Sequence, residues 1–227
     1  MPAEGIGKMA RRSVGTVVVV TGGDPLAEGE LPTLPIDALV VAADSGIDRA
    51  LELGLHVDVA IGDFDSVTPA GLQAVADAGA LVERHPAAKD ATDLELALDA
   101  ALLHHPHQVI VLGGHGGRLD HLLANALLLA SDRLAGVEVV AQMGASRVTV
   151  IRSDARLDGR PGDLVTLLPV HGVARGVTTD GLRFPLVDED LAPGSTRGVS
   201  NEIVAPPAAV TIREGVLLAV QPLRTEP

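Results

Sequence analysis

Val109-Ile110-Val111-Leu112-Gly113-Gly114-His115-Gly116-Gly117-Arg118-Leu119-Asp120-His121 reads in one pass as a buried strand, a glycine-rich loop and the opening turn of a helix. The apolar run shows no polar alternation, which is the signature of a strand covered on both faces. The continuation, Arg118–Leu129, places Leu119, Leu122, Leu123 and Ala126 on one helical face. Upstream the same grammar recurs three times. Val17–Val20 runs into Gly22-Gly23-Asp24, Ala38–Ala43 into Asp44-Ser45-Gly46, and Val57–Ile61 into Gly62-Asp63-Phe64-Asp65-Ser66. Helices are predicted over Pro69–Ala78, where Thr68 is a good N-cap ahead of a proline, and over Leu94–Leu103, where Thr92 and Glu95 fit a capping box. Alternation of short apolar strands with helices gives an α/β fold, a doubly wound and mostly parallel sheet.

After about Val150 the pattern changes. Arg160-Pro161-Gly162-Asp163, Val170-His171-Gly172, Thr179-Asp180-Gly181, Ala192-Pro193-Gly194-Ser195, Pro206-Pro207 and Arg213-Glu214-Gly215 are turn signals between short apolar or alternating runs. Leu164–Val170, Ala208–Ile212 and Val216–Val220 are the clearest strands. The expected organisation is a flexible N-terminus over residues 1–13, a catalytic α/β domain over 14–150, and a small antiparallel β-sandwich over 151–227.

Composition narrows the chemistry. The 227 residues carry 17 Lys+Arg against 30 Asp+Glu, a formal charge of −13, with two Phe and no Trp, Tyr or Cys. A base-stacking nucleic-acid binder needs aromatic platforms and a basic groove, so nucleic acid is excluded as a partner. The lack of cysteine rules out disulfides, thiolate nucleophiles and Cys-type metal sites, and suits the cytoplasm. No stretch approaches the roughly 18 apolar residues of a membrane-spanning helix, and Val17–Val20 is too short for a signal-peptide core. A chain that is 47% hydrophobic has ample material for a core.

In an open α/β sheet, ligands bind beyond the carboxyl ends of the strands. That edge is where this sequence gathers its aspartates: Asp44, Asp63, Asp65, Asp90, Asp93 and Asp120. So many carboxylates in one cleft repel unless a cation neutralises them, and oxygen-only ligands favour magnesium or manganese. The paired glycines Gly22-Gly23, Gly113-Gly114 and Gly116-Gly117 offer backbone N–H groups to an anion, with Arg118, Arg49 and Lys89 as sources of positive charge. Metal and phosphate together mean nucleotide chemistry, although neither G-x-x-x-x-G-K-[ST] nor a strand-linked G-x-G-x-x-G occurs. The tract His104-His105-Pro106-His107 reads as a solvated helix end rather than a metal site.

These residues carry a resemblance. Ala43-Asp44-Ser45-Gly46-Ile47-Asp48-Arg49 is similar to the A-D-G-G-x-N-R of thiamine pyrophosphokinases, with Ser45 and Asp48 in place of Gly and Asn. Gly62–Ser66 matches their G-D-F-D-S, Lys89-Asp90-Ala91-Thr92-Asp93 their K-D-x-T-D, and Gly116–His121 with Ala124-Asn125 their G-G-R-x-D-H-x-x-A-N. Thr178–Leu186 and Gly198–Glu202 continue the resemblance through the second half, whereas the tryptophan on which some members stack thiamine is missing.

The resemblance implies transfer of a diphosphoryl group from ATP to the thiamine hydroxyl, with Mg2+ as cofactor and AMP as the second product. It implies a homodimer with shared active sites, each thiamine lying between one subunit's catalytic domain and the other's β domain. Carried over, Asp44, Asp63, Asp65, Asp93 and Asp120 form the acidic metal set. Asp65, Asp93, Asp120 and Arg118 become the catalytic group; Asp44, Lys89, Gly116 and Gly117 hold the nucleotide; Ser200 and Asn201 face thiamine. Two other readings stay open from sequence: a diphosphokinase for a different hydroxymethyl heterocycle such as a pterin, and a non-catalytic nucleotide- or thiamine-binding regulator.

Overall fold

A computed structural model describes residues 14–26, 31–88 and 90–224. The expectations for residues 1–13 and for Lys89 lie outside them. The chain divides into two compact units, one of residues 1–125 and 137–144, the other of residues 126–136 and 145–227.

The first unit is built on six parallel strands: β1 (Thr16–Val20), β2 (Leu39–Ala43), β3 (Val59–Gly62), β4 (Leu81–Arg84), β5 (Gln108–Leu112) and β6 (Glu138–Gln142). Their order across the sheet is β4-β3-β2-β1-β5-β6. From β1 the chain lays down β2, β3 and β4 to one side, then crosses to place β5 and β6 on the other. The order therefore reverses between β1 and β5, which opens a crevice beyond their carboxyl ends.

Helices α1 (Gly46–Glu52), α2 (Pro69–Asp77), α3 (Asp93–Leu102) and α4 (Leu119–Leu129) complete the alternation. Ile47 and Ala50 of α1 and Val75 of α2 share a core with Val18, Val20, Val40, Ala42, Ile110 and Leu112. Strand residues of the other parity, Val17, Val19, Val41, Val109 and Val111, are equally buried, and α3 packs on β1, β2 and β3. Each buried valine contributes roughly 1.5–3 kcal/mol relative to an exposed one, which is why unbroken apolar runs settle in a sheet covered on both faces. The expected caps form: Thr68 Oγ1 accepts from Gly71 N at 3.0 Å, and Thr92 Oγ1 accepts from Glu95 N at 3.2 Å.

One expectation is corrected. His104 is not a solvated helix end, because its ring is buried at 5% exposure and its carbonyl accepts from Val14 N, with burial lowering its pKa; His105 and His107 are exposed. Helix α4 exposes a row of leucines. Leu119, Leu123 and Leu127 are 68%, 56% and 45% exposed, one row with a four-residue repeat that nothing among the described residues covers.

The second unit is antiparallel. β7 (Ser146–Ile151), β13 (Glu214–Pro222), β9 (Leu164–Asp180), β12 (Ala208–Thr211) and β8 (Asp154–Leu157) pair in that order, and β10 (Glu189–Leu191) and β11 (Asn201–Glu202) add to β9. The first half of β9 pairs with β13, while its second half pairs with β10 and β12. One strand thus serves two faces, and Ile151, Leu157, Val165, Leu167, Val177, Val210 and Leu217 share the core between them.

Candidate active site

At the reversal point of the parallel sheet lies a cleft of about 410 Å³, lined by the loops after β1, β2, β3 and β5 and the start of α3. The volume falls within the range of small-molecule sites. Interlocked backbone fixes the two loops that flank the reversal. Gly114 N donates to Gly22 O at 2.8 Å and Asp24 N to His115 O at 2.7 Å. A Cβ on Gly113 (φ 100°) would lie 2.3 Å from Thr21 O, and one on Gly23 (φ 132°) 2.2 Å from His115 O. Glycine is required at both places because the backbones touch. Asn125, in the second turn of α4, donates from Nδ2 to Gly114 O at 3.1 Å.

Across the cleft, the loop after β3 turns through Phe64 in the left-handed region (φ 63°), burying the ring in the core and leaving Asp63 and Asp65 on the cleft side. Arg84 clamps it: the guanidinium lies 4.8 Å from the Phe64 ring centroid and Nη1 donates to Asp63 O at 2.8 Å. Such a cation–π contact is worth about 0.5–1 kcal/mol or more. Asp65 N donates to Asp63 Oδ1 at 3.2 Å, and Ser66 Oγ to Asp65 Oδ1 at 2.7 Å.

Asp44 is the buried member, 9% exposed, with φ at 46° and its amide held by Ile61 O at 2.9 Å. Burial is the main cause that pushes its pKa up, with the charges of Asp93 and Asp65 adding to it against backbone hydrogen bonds from Ser45 and Ser66. Its Oδ1 is buried without a hydrogen-bond partner. One oxygen from each of Asp44, Asp63 and Asp65 lies within 4.8 Å of the others. Asp93 joins them over Gly62, whose Cβ, if present, would sit 3.2 Å from Asp93 Oδ1 and 3.3 Å from Asp44 Cβ.

Of the residues expected at the site, Asp44, Asp63, Asp65, Asp93, Gly116, Gly117 and Arg118 line this cleft. Asp120 stands just outside, exposed, with Arg118 donating to it from Nε at 3.2 Å and Nη2 at 2.5 Å; that pairing lowers the Asp120 pKa to about 2. Asp90 is exposed and Arg49 is paired with Glu52 at 2.6 Å, so neither is among the lining residues.

In the second unit, Asn201 uses its amide on its own neighbourhood. Oδ1 accepts from Phe184 N at 3.0 Å and Nδ2 donates to Phe184 O at 2.7 Å, presenting a Phe184 ring that is 55% exposed. Ser200, exposed and at φ 56°, is held by its amide on Thr166 Oγ1 at 3.0 Å.

The two sequence departures have local explanations. The Ser45 hydroxyl occupies space that only a glycine at 22 leaves, since a Cβ there would be 2.2 Å away. Asp48 accepts from Thr68 N at 2.8 Å and Thr68 Oγ1 at 2.6 Å, tying α1 to the start of α2. Sequence reasoning missed His115, Asp24 and Arg84; a lone His between two glycine pairs was the available signal for the first.

Two family models match in succession: the thiamin pyrophosphokinase catalytic domain over residues 34–141 and the thiamin pyrophosphokinase vitamin B1 binding domain over residues 149–217. The thiamine pyrophosphokinase of Bacillus subtilis is 27% identical over 210 residues, covering 91% of this chain and 98% of that protein. The crystal structure of the B. subtilis enzyme is similar with a TM-score of 0.80 at 25% identity, over 92% of this chain and 100% of that one. That of the Geobacillus thermodenitrificans enzyme gives 0.78 at 27%, over 93% and 99%. With one family's catalytic model on the α/β part, its vitamin-binding model on the antiparallel part, and relatives aligned nearly end to end, the chain belongs to the thiamin pyrophosphokinase family.

Proposed function

We propose that the protein transfers a diphosphoryl group from ATP to the hydroxyl of thiamine, giving thiamine diphosphate and AMP. The observation that carries the reading is the convergence of Asp44, Asp63 and Asp65, with a buried and unpartnered Asp44 oxygen, opposite a glycine loop at the reversal of a parallel sheet. Three hard oxygens at that spacing, with Asp44 Oδ1 desolvated, fit Mg2+, and Asp93 lies beside Asp44 at the edge of the group. When bound there, Mg2+ supplies neutralisation of the carboxylates and of the phosphate charge.

The chain's own contribution is chiefly positioning. Backbone N–H groups at Gly116 and Gly117 receive phosphate oxygens, Arg118 and Lys89 add positive charge, and Thr92 caps α3 so that Asp93 is fixed at its first turn. The thiamine oxygen attacks the β-phosphorus, the bond to the AMP oxygen breaks, and the hydroxyl proton leaves to a carboxylate of the cleft, Asp65 or Asp93. Phe184, displayed by Asn201, offers the aromatic face for the vitamin that the absent tryptophan would have provided, with Ser200 beside it in sequence.

We also propose a homodimer in which each copy completes the other's thiamine site. The exposed row Leu119, Leu123 and Leu127 supports self-association. The cytoplasm is the compartment proposed, on the absence of cysteine and of any helix among the described residues long and apolar enough to cross a membrane.

Incubation with ATP, Mg2+ and thiamine, followed by separation of nucleotides and thiamine esters, tests the reaction. AMP with thiamine diphosphate is expected. ADP with thiamine monophosphate would overturn diphosphoryl transfer, and turnover only with a pterin-like acceptor, or none at all, would favour the readings left open from sequence.

A further inference from the structure

The loop after β5 carries a side chain that neither the acidic cluster nor the glycines account for. The His115 ring is clamped on one side by Gly144, where a Cβ would lie 2.6 Å from Cε1 and Nδ1. Nδ1 is enclosed and lacks a hydrogen-bond partner, and the nearest charge to it is Asp24 Oδ2 at 3.9 Å. The side chain is nevertheless 38% exposed and the residue lines the cleft; with Nδ1 enclosed, Nε2 is the ring nitrogen left to bond outward.

Asp24 makes this arrangement consequential. Its carboxylate is laid over Gly116, where a Cβ would come within 2.6 Å of Oδ1, so a negative charge sits on the loop that is to receive phosphates. Left alone it would repel them. Among the described residues, Arg118 is the one Lys or Arg that lines the cleft, and it already donates to Asp120 from two nitrogens.

We infer that His115 is a positioning residue for the nucleotide. Gly144 and the Asp24 carboxylate, 3.9 Å from Nδ1, fix the orientation of the ring, and Nε2–H donates to the triphosphate of ATP. The assignment rests on the reading of the cleft as an ATP site, and it concerns the nucleotide alone.

The test pairs a binding measurement with a kinetic one. Calorimetry with α,β-methylene-ATP and Mg2+, without thiamine, is expected to show about tenfold weaker binding for H115A, the scale of one lost hydrogen bond to a charged group. H115Q, whose amide can reach the Nε2 position, is expected to recover most of the affinity. In the AMP-forming assay H115A should raise KM for ATP about tenfold, with KM for thiamine and kcat within about twofold. Binding of the analogue by H115A equal to wild type, or a change confined to thiamine, would overturn the inference. Should H115A fail to fold, H115N carries the same test, because its shorter amide stops at the Nδ1 position and must also bind the analogue more weakly. Failure of the reading beneath it shows separately, as wild-type protein that binds the analogue but makes no AMP from thiamine.

Discussion

Replacing Asp44 with asparagine should stabilise the metal-free protein while abolishing its response to Mg2+. The magnitude follows from the cluster. Two unit charges 4.8 Å apart repel by about 3.5 kcal/mol at an effective dielectric of 20 and by about 0.9 kcal/mol in bulk water. Because Asp65 is exposed and Asp63 half-buried, the lower figure is the better guide for each pair, so neutralising Asp44 against both relieves roughly 2 kcal/mol. The new amide can also donate where Asp44 Oδ1 now finds no donor. For a chain of this size about 2 kcal/mol corresponds to a rise in Tm of roughly 4–8 °C.

The pH dependence has a definite sign. Burial, then the charges of Asp93 and Asp65, raise the Asp44 pKa in the folded state, so the folded chain holds this proton more tightly than the unfolded one. The Asp44 contribution to wild-type stability therefore falls as pH rises from the usual 3.8 through the raised value, and the advantage of D44N is complete above the raised value and vanishes below 3.8. Scanning calorimetry in EDTA and in millimolar Mg2+ provides the assay: wild type should gain stability with Mg2+ by mass action and D44N should not. A D44N protein that melts below wild type in EDTA, or still gains stability with Mg2+, would refute the electrostatic account of the cluster.

Three further outcomes are expected. Asp120 should titrate at about 2 by carboxyl NMR and return toward the ordinary range in R118Q, since its ion pair is favourable above the unfolded value and is lost as pH falls through the folded one; an unchanged value in R118Q would deny that Arg118 is the cause. G113A should lose about 2 kcal/mol or more in denaturant melts, because the added Cβ meets Thr21 O at 2.3 Å in a backbone conformation with φ at 100°. L123D should shift the protein from dimer to monomer in light scattering while leaving the far-UV spectrum intact, since its side chain lies on the 56%-exposed surface of α4; a dimer that survives the change would place the contact elsewhere.

The parallel half of the fold was legible because its signals are local. A strand buried on both faces must be apolar throughout, and β1, β2, β3 and β5 fall on the runs read as strands to within about two residues. β4 was not seen, for a reason in its burial: at the sheet edge only Glu83 of Leu81–Arg84 is buried, so its composition carries no strand signal. The carboxylates were legible as a group because their strings end strands, and topology then brought Asp44, Asp63, Asp65 and Asp93 to one crevice. What sequence could not supply was their division of labour. That Asp44 is buried while Asp120 faces solvent with Arg118 depends on which loop turns inward, and in this cleft a left-handed residue and a stacked Arg84 decide the turn.

The antiparallel half shows the opposite difficulty. Val170-His171-Gly172 has the composition of a reversal and was read as one, yet β9 runs through it for 17 residues. His171 (φ 60°) and Gly172 (φ 144°) do adopt the conformations a turn needs. They use them to bulge and bend the strand, which stays on β13 through a shift of register, Val170 opposite Val216 and Arg175 opposite Glu214, and takes up β10 at Ala174 and β12 by Thr178. A bend that changes partners and a turn that reverses direction ask the same of the backbone, positive φ over one or two residues, and differ only in what waits to pair on the far side. That information lies in β10 and β12, roughly 15 to 35 residues downstream, where Asp190 accepts from Gly176 N at 3.0 Å and Val210 lies opposite Thr179. Local composition therefore locates where a β strand deviates, and the long-range register determines whether the deviation is a corner or an end.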